Sequence, residues 1–179
     1  ILIGHAAGGT GNMTSAADAT IAIGYQALTE NISGAGNLGI GFDSLRNNTT
    51  GDYNIAIGYE ALYTATELDK NTAIGYQALK VASGSAGTGE NTAVGYNAGV
   101  AITTGIRNTI MGSGAGVTIN TGNSNTIMGT FAGQSISSGA YNTAIGQYAL
   151  QTQGSSASST AIGYASLYAA NGANNVGIG

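Results

Sequence analysis

One short pattern recurs along the whole chain and constrains its fold more than any other feature. Residues 71–79, Asn-Thr-Ala-Ile-Gly-Tyr-Gln-Ala-Leu, show it in full. The Gly that follows the apolar residue is called here the anchor glycine. Successive anchors lie 17 residues apart in most intervals, with two intervals of 20 and a last one of 16. Such a fixed period indicates a repeat architecture, in which each unit contacts mainly its neighbours. The anchors are Gly4, Gly24, Gly41, Gly58, Gly75, Gly95, Gly112, Gly129, Gly146, Gly163 and Gly179.

The residues before each anchor predict a short β-strand. The residue directly before it is always apolar, as at Ile57 and Ile74, and the residue three before it is Ile, Leu, Val or Thr, as at Thr72. From the second anchor onward, Ala or Gly stands between them, with Ile110 and Ile127 as exceptions. This alternation of β-branched residues is typical of a strand with one buried face. We expect the flanking residues, Thr72 and Ile74 among them, to point inward.

The remainder of each unit predicts a coil of a β-solenoid. An anchor glycine permits a conformation that other residues avoid, or a close approach of two backbones. A second Gly often lies three residues before an Asn, which is turn chemistry. Each unit is therefore expected to run strand, Gly corner, second short strand and Gly/Asn turn, giving an all-β parallel solenoid of about ten coils. Equivalent Asn residues would stack as an amide ladder. These are Asn37, Asn54, Asn71, Asn91, Asn108, Asn125 and Asn142.

Two types of coil are distinguished by the residue four positions after the anchor. It is Leu in six units, at Leu28, Leu45, Leu62, Leu79, Leu150 and Leu167, and Gly in three, at Gly99, Gly116 and Gly133. Units of the Gly type carry further apolar residues, such as Ile102 and Ile119. A Gly bulge at this point would shift the inward set of residues by one. We therefore expect the cross-section to change between about Asn91 and Gly139. The extra residues of the two longer intervals, Gly8–Ala19 and Lys80–Glu90, are expected in protruding loops.

Composition excludes several classes of function. The chain has 8 acidic and 4 basic residues, and none of these follows Arg107. Four scattered cations do not form the basic patch that nucleic-acid binding needs. Without Cys there are no disulfides or thiolate metal sites, and no apolar run is long enough to insert into a membrane. We expect residues 1–179 to be a single repeat array and a fragment of a longer fibre protein.

The pattern Asn-Thr-Ala-Ile-Gly-Tyr-Gln-Ala-Leu resembles the Asn-Ser-Val-Ala-Ile-Gly repeats in the head domains of trimeric autotransporter adhesins. It is also similar to repeats in phage tail fibres. The resemblance covers essentially the whole chain. It implies a left-handed parallel β-roll with three chains around one axis, in which positions such as Thr72 and Ile74 fill the core. This chain departs from that pattern in its longer period, in the Tyr after the Gly, and in its frequent Thr.

Few residues are candidates for chemistry. Gly34, Gly36 and Gly39 match a dinucleotide-binding fingerprint, but no helix is predicted after them. The only histidine, His5, stands where later units carry aromatic rings, so we expect it to replace a ring rather than to bind a metal. Glu67 and Asp69 are expected in a solvated, charged turn beside Lys70. No catalytic residue, cofactor or metal is therefore predicted.

An aromatic column follows the anchors and offers the one candidate ligand surface. Its tyrosines could contact glycans or cover the edge of the core or a chain–chain interface. These residues are Tyr25, Tyr59, Tyr76 and Tyr96. The Thr column from Thr72 to Thr160 suggests ice binding, but its spacing places it inward, and only one such column exists.

Together these features predict a non-enzymatic segment of a homotrimeric surface fibre, outside the cell, on a phage tail or a bacterial surface. Such a segment would project a receptor-attachment surface or form one. The alternative is a glycan-binding solenoid that uses exposed Tyr and loop residues. The receptor would be a cell-surface glycan or another surface molecule.

Overall fold

The computed structural model of the chain describes residues 1–9, 14, 17–85, 87–152, 154–155, 157–169 and 172–179. In these residues eleven parallel strands form one sheet, and their order across the sheet is their order along the chain. The chain is therefore an all-β solenoid with one rung per repeat unit. The strands are β1 (Leu2–Ile3), β2 (Ile21–Ile23), β3 (Leu38–Ile40), β4 (Ile55–Ile57), β5 (Thr72–Ile74), β6 (Thr92–Val94), β7 (Thr109–Met111), β8 (Thr126–Met128), β9 (Thr143–Ile145), β10 (Thr160–Ile162) and β11 (Val176–Ile178).

The rungs are stacked in register, as the period predicted. Ile57 is aligned with Ile74 on the next rung, and the alignment also holds where the interval is 20 residues, as between Thr72 and Thr92. The predicted second strand of each coil is wrong. Outside the eleven strands the described residues form turns, bends and loops, with two isolated bridges, Asp69 with Gly89 and Ile136 with Gly154.

The anchor glycines form the corner that ends each strand. At Gly75 the backbone has φ +136°, and a Cβ added there would lie 2.3 Å from the carbonyl oxygen of Gly95 on the next rung. Only a residue without a side chain fits that conformation and that approach. The same close approach occurs at Gly24, Gly41, Gly58, Gly95, Gly112, Gly129, Gly146 and Gly163.

Two other residues of each corner adopt the left-handed conformation even where they are not glycine. Gln26 and Leu28, for example, have φ of 52° and 54°. Gln26 N–H donates to the carbonyl of His5 on the preceding rung at 2.9 Å, and Leu28 N–H donates to that of Ser44 on the following rung at 3.0 Å. These bonds offset a conformational cost of roughly 1–2 kcal/mol per residue, because they satisfy backbone groups that a tight corner would otherwise leave unpaired.

The core lies on the opposite face of the strands from the one predicted. Ala73, in the middle of β5, is fully buried, whereas Ile74 is 36% exposed on the outside and Thr72 is half-buried there. The expectation that Thr72 and Ile74 point inward is therefore wrong. Ile57 likewise lies on the outer face, half-buried.

The narrow interior explains this choice of face. A Cβ added to Gly39, in the middle of β3, would lie 3.2 Å from Leu28 Cδ1. The Leu side chain therefore occupies the space in front of the strand and leaves room only for Gly or Ala at the strand's centre. The larger apolar residues that flank this centre must point outward, because side chains alternate along a strand.

The two predicted coil types differ in their side chains and not in their backbone. In the coils called here Leu coils, Leu79 and its equivalents fill the interior. In the Ile coils, which carry Gly99, Gly116 or Gly133, Ile side chains replace that Leu: a Cβ on Gly99 would lie 3.0 Å from Ile110 Cδ1 and 3.1 Å from Ile102 Cδ1. Leu79 and Gly99 share nearly the same φ, 49° and 57°, and the register continues from β6 into β8. The predicted bulge is therefore wrong.

The two longer intervals insert their extra residues between rungs. Much of the first, residues 10–13, 15 and 16, lies outside the described residues, as does residue 86 of the second. In the second interval Gly87 is surrounded by open space, and its N–H donates to Asp69 Oδ2 at 2.9 Å. The described part of this loop therefore extends from the stack while remaining tied to the preceding rung.

Candidate functional site

The predicted amide ladder is present as a continuous buried column. Oδ1 of Asn54 accepts two bonds from Asn71, one from the backbone N–H and one from the side-chain amide, both at 3.0 Å. Asn54 Nδ2 donates to Asn37 Oδ1 and to the carbonyl of Leu68, at 3.2 and 2.6 Å. Buried amides satisfied in this way fix the register of the rungs. The same pattern of bonds links Asn91, Asn108, Asn125 and Asn142.

Three further members of this column, Thr20, Ser159 and Asn175, were not among the predicted residues. Thr20 Oγ1 donates to the carbonyl of Gly34 at 3.3 Å, as the Asn amides do to equivalent carbonyls. Near the other end Ser159 N–H donates to Asn142 Oδ1 at 3.0 Å, and Asn175 N–H donates to Ser159 Oγ at 3.2 Å. The position four residues before the anchor therefore requires a short polar side chain rather than asparagine itself.

The predicted aromatic column is a ladder of stacked rings on the outside of the solenoid. It comprises His5, Tyr25, Phe42, Tyr59, Tyr76 and Tyr96, with centroids 5.0–5.2 Å apart and interplanar angles of 8–11°. His5 thus takes the place of a ring, as expected. The rings turn their faces toward one another, so that the inner ones present mainly edges and, for Tyr, hydroxyls to water. A sugar that stacks on an aromatic ring needs an open face, which the inner rings lack.

A smaller aromatic group lies near the C-terminal end. Phe131 stacks on Tyr148 at 5.8 Å, and Tyr148 meets Tyr164 edge to face at 6.1 Å. Tyr164 is 70% exposed. This group does not continue the ladder, because Phe131 and Tyr148 stand two residues after their anchors instead of one. The ladder position is occupied in the intervening units by Ser113, Thr130 and Gln147.

The outward residues of the strands form the surface called here the outward sheet face. It consists of the first and third residues of β2 to β10. The third residues are all apolar, and five of them are 36–39% exposed: Ile74, Met111, Met128, Ile145 and Ile162. The first residues are Ile or Leu in β2 to β4 and Thr in β5 to β10. The Thr column therefore points outward, contrary to the prediction, although it remains a single column beside an apolar one.

Two ion pairs, Lys80 with Glu60 and Arg46 with Asp43, lie in a polar cluster on the Leu coils. Glu60 Oε2 lies 2.7 Å from Lys80 Nζ and accepts a bond from Gln77 Nε2 at 2.7 Å. Burial opposes ionisation of Glu60, but the hydrogen bonds from Lys80 and Gln77 outweigh it, so the pKa of this carboxyl is lowered. Burial raises the pKa of the neighbouring Asp43 carboxyl, because the charge of Arg46, 3.9 Å away, offsets it only in part.

The remaining candidates have structural surroundings. Asp69 is more than a solvated turn residue, since its carboxylate accepts bonds from the N–H groups of Asp52 and Gly87 at 2.8 and 2.9 Å. The glycine fingerprint at Gly34, Gly36 and Gly39 leads into β3, and no helix follows it. Within the described ranges no three His, Asp or Glu side chains come together as metal ligands would. The same ranges contain no helix with the length and apolarity to cross a bilayer.

The orientation of the strand faces escaped the sequence analysis, although the sequence contains a signal for it. The middle residue of the strand is Ile only at Ile110 and Ile127, in the same region where the Leu of the corner becomes Gly. Such an exchange of volume between two positions indicates that both face the same interior.

No family model, curated protein or solved structure matches this chain.

Proposed function

We propose that this chain is a structural segment of a homotrimeric surface fibre, on a phage tail or a bacterial surface outside the cell. It has no enzymatic activity and either projects a receptor-attachment surface or forms one. The uninterrupted register from β1 to β11 carries the proposal. Because every rung is hydrogen-bonded to the next along one axis, bending the rod would disrupt backbone bonds and buried amides together. At about 4.8 Å per rung, ten intervals give a rod roughly 48 Å long.

The mass and shape of the purified segment test this proposal. Light scattering coupled to size exclusion should give three times the chain mass, and negative-stain electron microscopy should show straight particles of uniform width. Digestion by a protease of broad specificity should leave the strands intact, since the segment's backbone groups are held in the stack. A monomeric mass at micromolar concentration would contradict the trimer.

A glycan-binding solenoid is the competing function. It is supported by the exposure of the ring ladder, whose Tyr96 is 56% exposed, and by the open position of Tyr164. The stacked geometry restricts sugars to ring edges and hydroxyls along the ladder. A glycan array with the wild-type segment and the variants Tyr76→Ala and Tyr164→Ala separates the two functions. Binding that is lost in either variant would favour the glycan function, and intact assembly without binding would favour the structural one.

A further inference from the structure

We propose that the outward sheet face is the surface through which copies of this chain pack side by side, parallel and with like rungs level. This inference rests on the proposed fibre and assigns the contact surface within it. It starts from the reversed strand faces. The small residues Ala56 and Ala73 are inside, so the large residues Ile57 and Ile74 are left on the surface of the single chain. A column of apolar side chains that runs along nearly the whole rod is unusual for a surface exposed to water.

The absence of charge on this face supports contact with another protein surface. No strand contains Asp, Glu, Lys or Arg, and all twelve charged residues of the chain lie in its turns and loops. Protein surfaces that remain in water usually carry interspersed charges of both signs. The centres of protein interfaces are by contrast depleted in charge and enriched in residues such as Met, which is found here at Met111 and Met128.

The Thr hydroxyls on the same face indicate a self-complementary partner. The column runs through Thr109 and Thr126, and within the described part of the chain none of its six hydroxyls, from Thr72 to Thr160, is hydrogen-bonded to another residue. A hydroxyl is both donor and acceptor, so a Thr column can pair with an identical column. An apolar surface made of rungs with a constant repeat is matched at every rung only by a surface with the same repeat, and a second copy supplies one.

The order of residues along the face selects the parallel arrangement. Ile21, Leu38 and Ile55 occupy the first strand position near one end, whereas Thr occupies it from β5 to β10. In parallel copies arranged around a common axis, the column nearest that axis meets its own equivalents at every rung, Ile and Leu against Ile and Leu and Thr against Thr. Antiparallel copies would place Leu38 opposite Thr143 and leave the hydroxyl against an apolar side chain. With rungs about 4.8 Å apart and about 3.3 Å per residue, two such faces together cover roughly 900 Å², which is close to the lower limit of about 1,000 Å² for a specific interface.

Cross-linking tests the face and its polarity, since the chain has no cysteine of its own. The variants Ile40→Cys and Met111→Cys lie on the face, and Thr121→Cys, in an exposed turn, is the matched control. Sheets pack about 10 Å apart, so a bis-maleimide of that span is the reagent. We expect covalent oligomers from both face variants and not from the control. Only parallel copies bring Ile40→Cys close to its own equivalent, so linkage at Met111→Cys alone would overturn the level, parallel arrangement.

A charge variant gives an independent measurement. Met111→Lys with Met128→Lys places ammonium groups at the proposed contact without touching the interior, and an unpaired buried charge weakens association by about 100-fold or more. Thr121→Lys is the control. If an oligomer persists in the double variant, or is cross-linked through Thr121→Cys, the outward sheet face is not the contact surface. The proposal of a fibre would be unaffected by that result. A wild-type monomer would overturn the fibre itself, and a monomer that retards ice growth would assign the Thr column to ice.

Discussion

The Leu coils and the Ile coils reach the same backbone with different interiors. The Leu62 side chain fills the space in front of its strand, and the facing residues Ala56 and Ala65 are small. Around Gly116 the corner has no side chain, and Ile110 and Ile119 fill the same space. The left-handed φ of the corner is conserved between them, at 50° for Leu62 and 57° for Gly116. The stacked backbone therefore sets the shape of each coil, and the side chains need only supply the right volume.

The largest loss of stability is expected for substitutions at the anchor glycines, where the two coil types are identical. Gly75→Val and Gly112→Val each add a branched side chain at φ +136° or +133°, against backbone atoms of the next rung. Both should lower the free energy of unfolding by about 4 kcal/mol or more, since strain and a backbone clash add together. Urea denaturation followed by circular dichroism measures this. Tolerance of Val in one coil type only would mean that the corners differ after all.

The next effect tests the exchange of volume directly. Leu62→Gly should cost about 3–4 kcal/mol, since the cavity that it leaves outweighs the relief of the left-handed strain at Leu62, whose φ is 50°. The double variant Leu62→Gly with Ala65→Ile copies an Ile coil and should recover a substantial part of that loss. The converse pair is Gly116→Leu, alone and with Ile119→Ala. If the double variants are no more stable than the sum of the single changes predicts, the two positions do not share one space.

A smaller loss of stability, equal in the two coil types, is expected when an Asn of the amide ladder is replaced. Asn54→Ala in a Leu coil and Asn125→Ala in an Ile coil each remove hydrogen bonds to the next rung and leave buried N–H and carbonyl groups unpaired. Each should cost about 2–3 kcal/mol, comparable to other losses of buried hydrogen bonds. Thermal melts of the two variants should agree closely. A much larger loss at one site would show that the ladder stabilises one region more than the other.

The smallest expected effect is a difference in the pH dependence of stability between the coils around Glu60 and Asp43 and the coils that follow Arg107. The pKa of Glu60 is lowered in the folded chain, so its stabilisation is present above the pKa of the unfolded state and is lost as the pH falls through the lowered value. The partly exposed pair with Lys80 should contribute less than about 1 kcal/mol. The pKa of Asp43 is raised in the folded chain, so its contribution to stability has the opposite sign: protonation of Asp43 as the pH falls stabilises the folded chain.

Variants and local probes measure these two contributions. Glu60→Gln should weaken the chain at neutral pH and flatten its acid dependence, and Asp43→Asn should not weaken it. No Asp, Glu, Lys or Arg follows Arg107, so amide protection in β8 to β10 should change little between mildly acidic and neutral pH. An equal acid response in both regions would indicate that the whole rod unfolds as one unit.

The sequence was sufficient for those parts of the fold that depend on repetition. The constant interval between Gly58 and Gly75 predicted that Ile57 and Ile74 occupy adjacent rungs, and they do. The recurrent Asn predicted the ladder, because identical polar residues at one position of a stacked coil meet one another. Three-fold assembly, left-handed winding, the receptor and the extracellular location stay predictions.

Tertiary structure decided which face of each strand is buried, and it also decided the shape of the corner. Alternation at Thr72, Ala73 and Ile74 fits either face equally well, because a strand of three residues has no preferred side until something fills one of them. Leu28 and its equivalents fill the interior from the far side of the coil, and that contact is not visible in the strand pattern. The left-handed residues of the corner were likewise hidden, since only hydrogen bonds to the rungs before and after make that conformation favourable for Gln26 and Leu28.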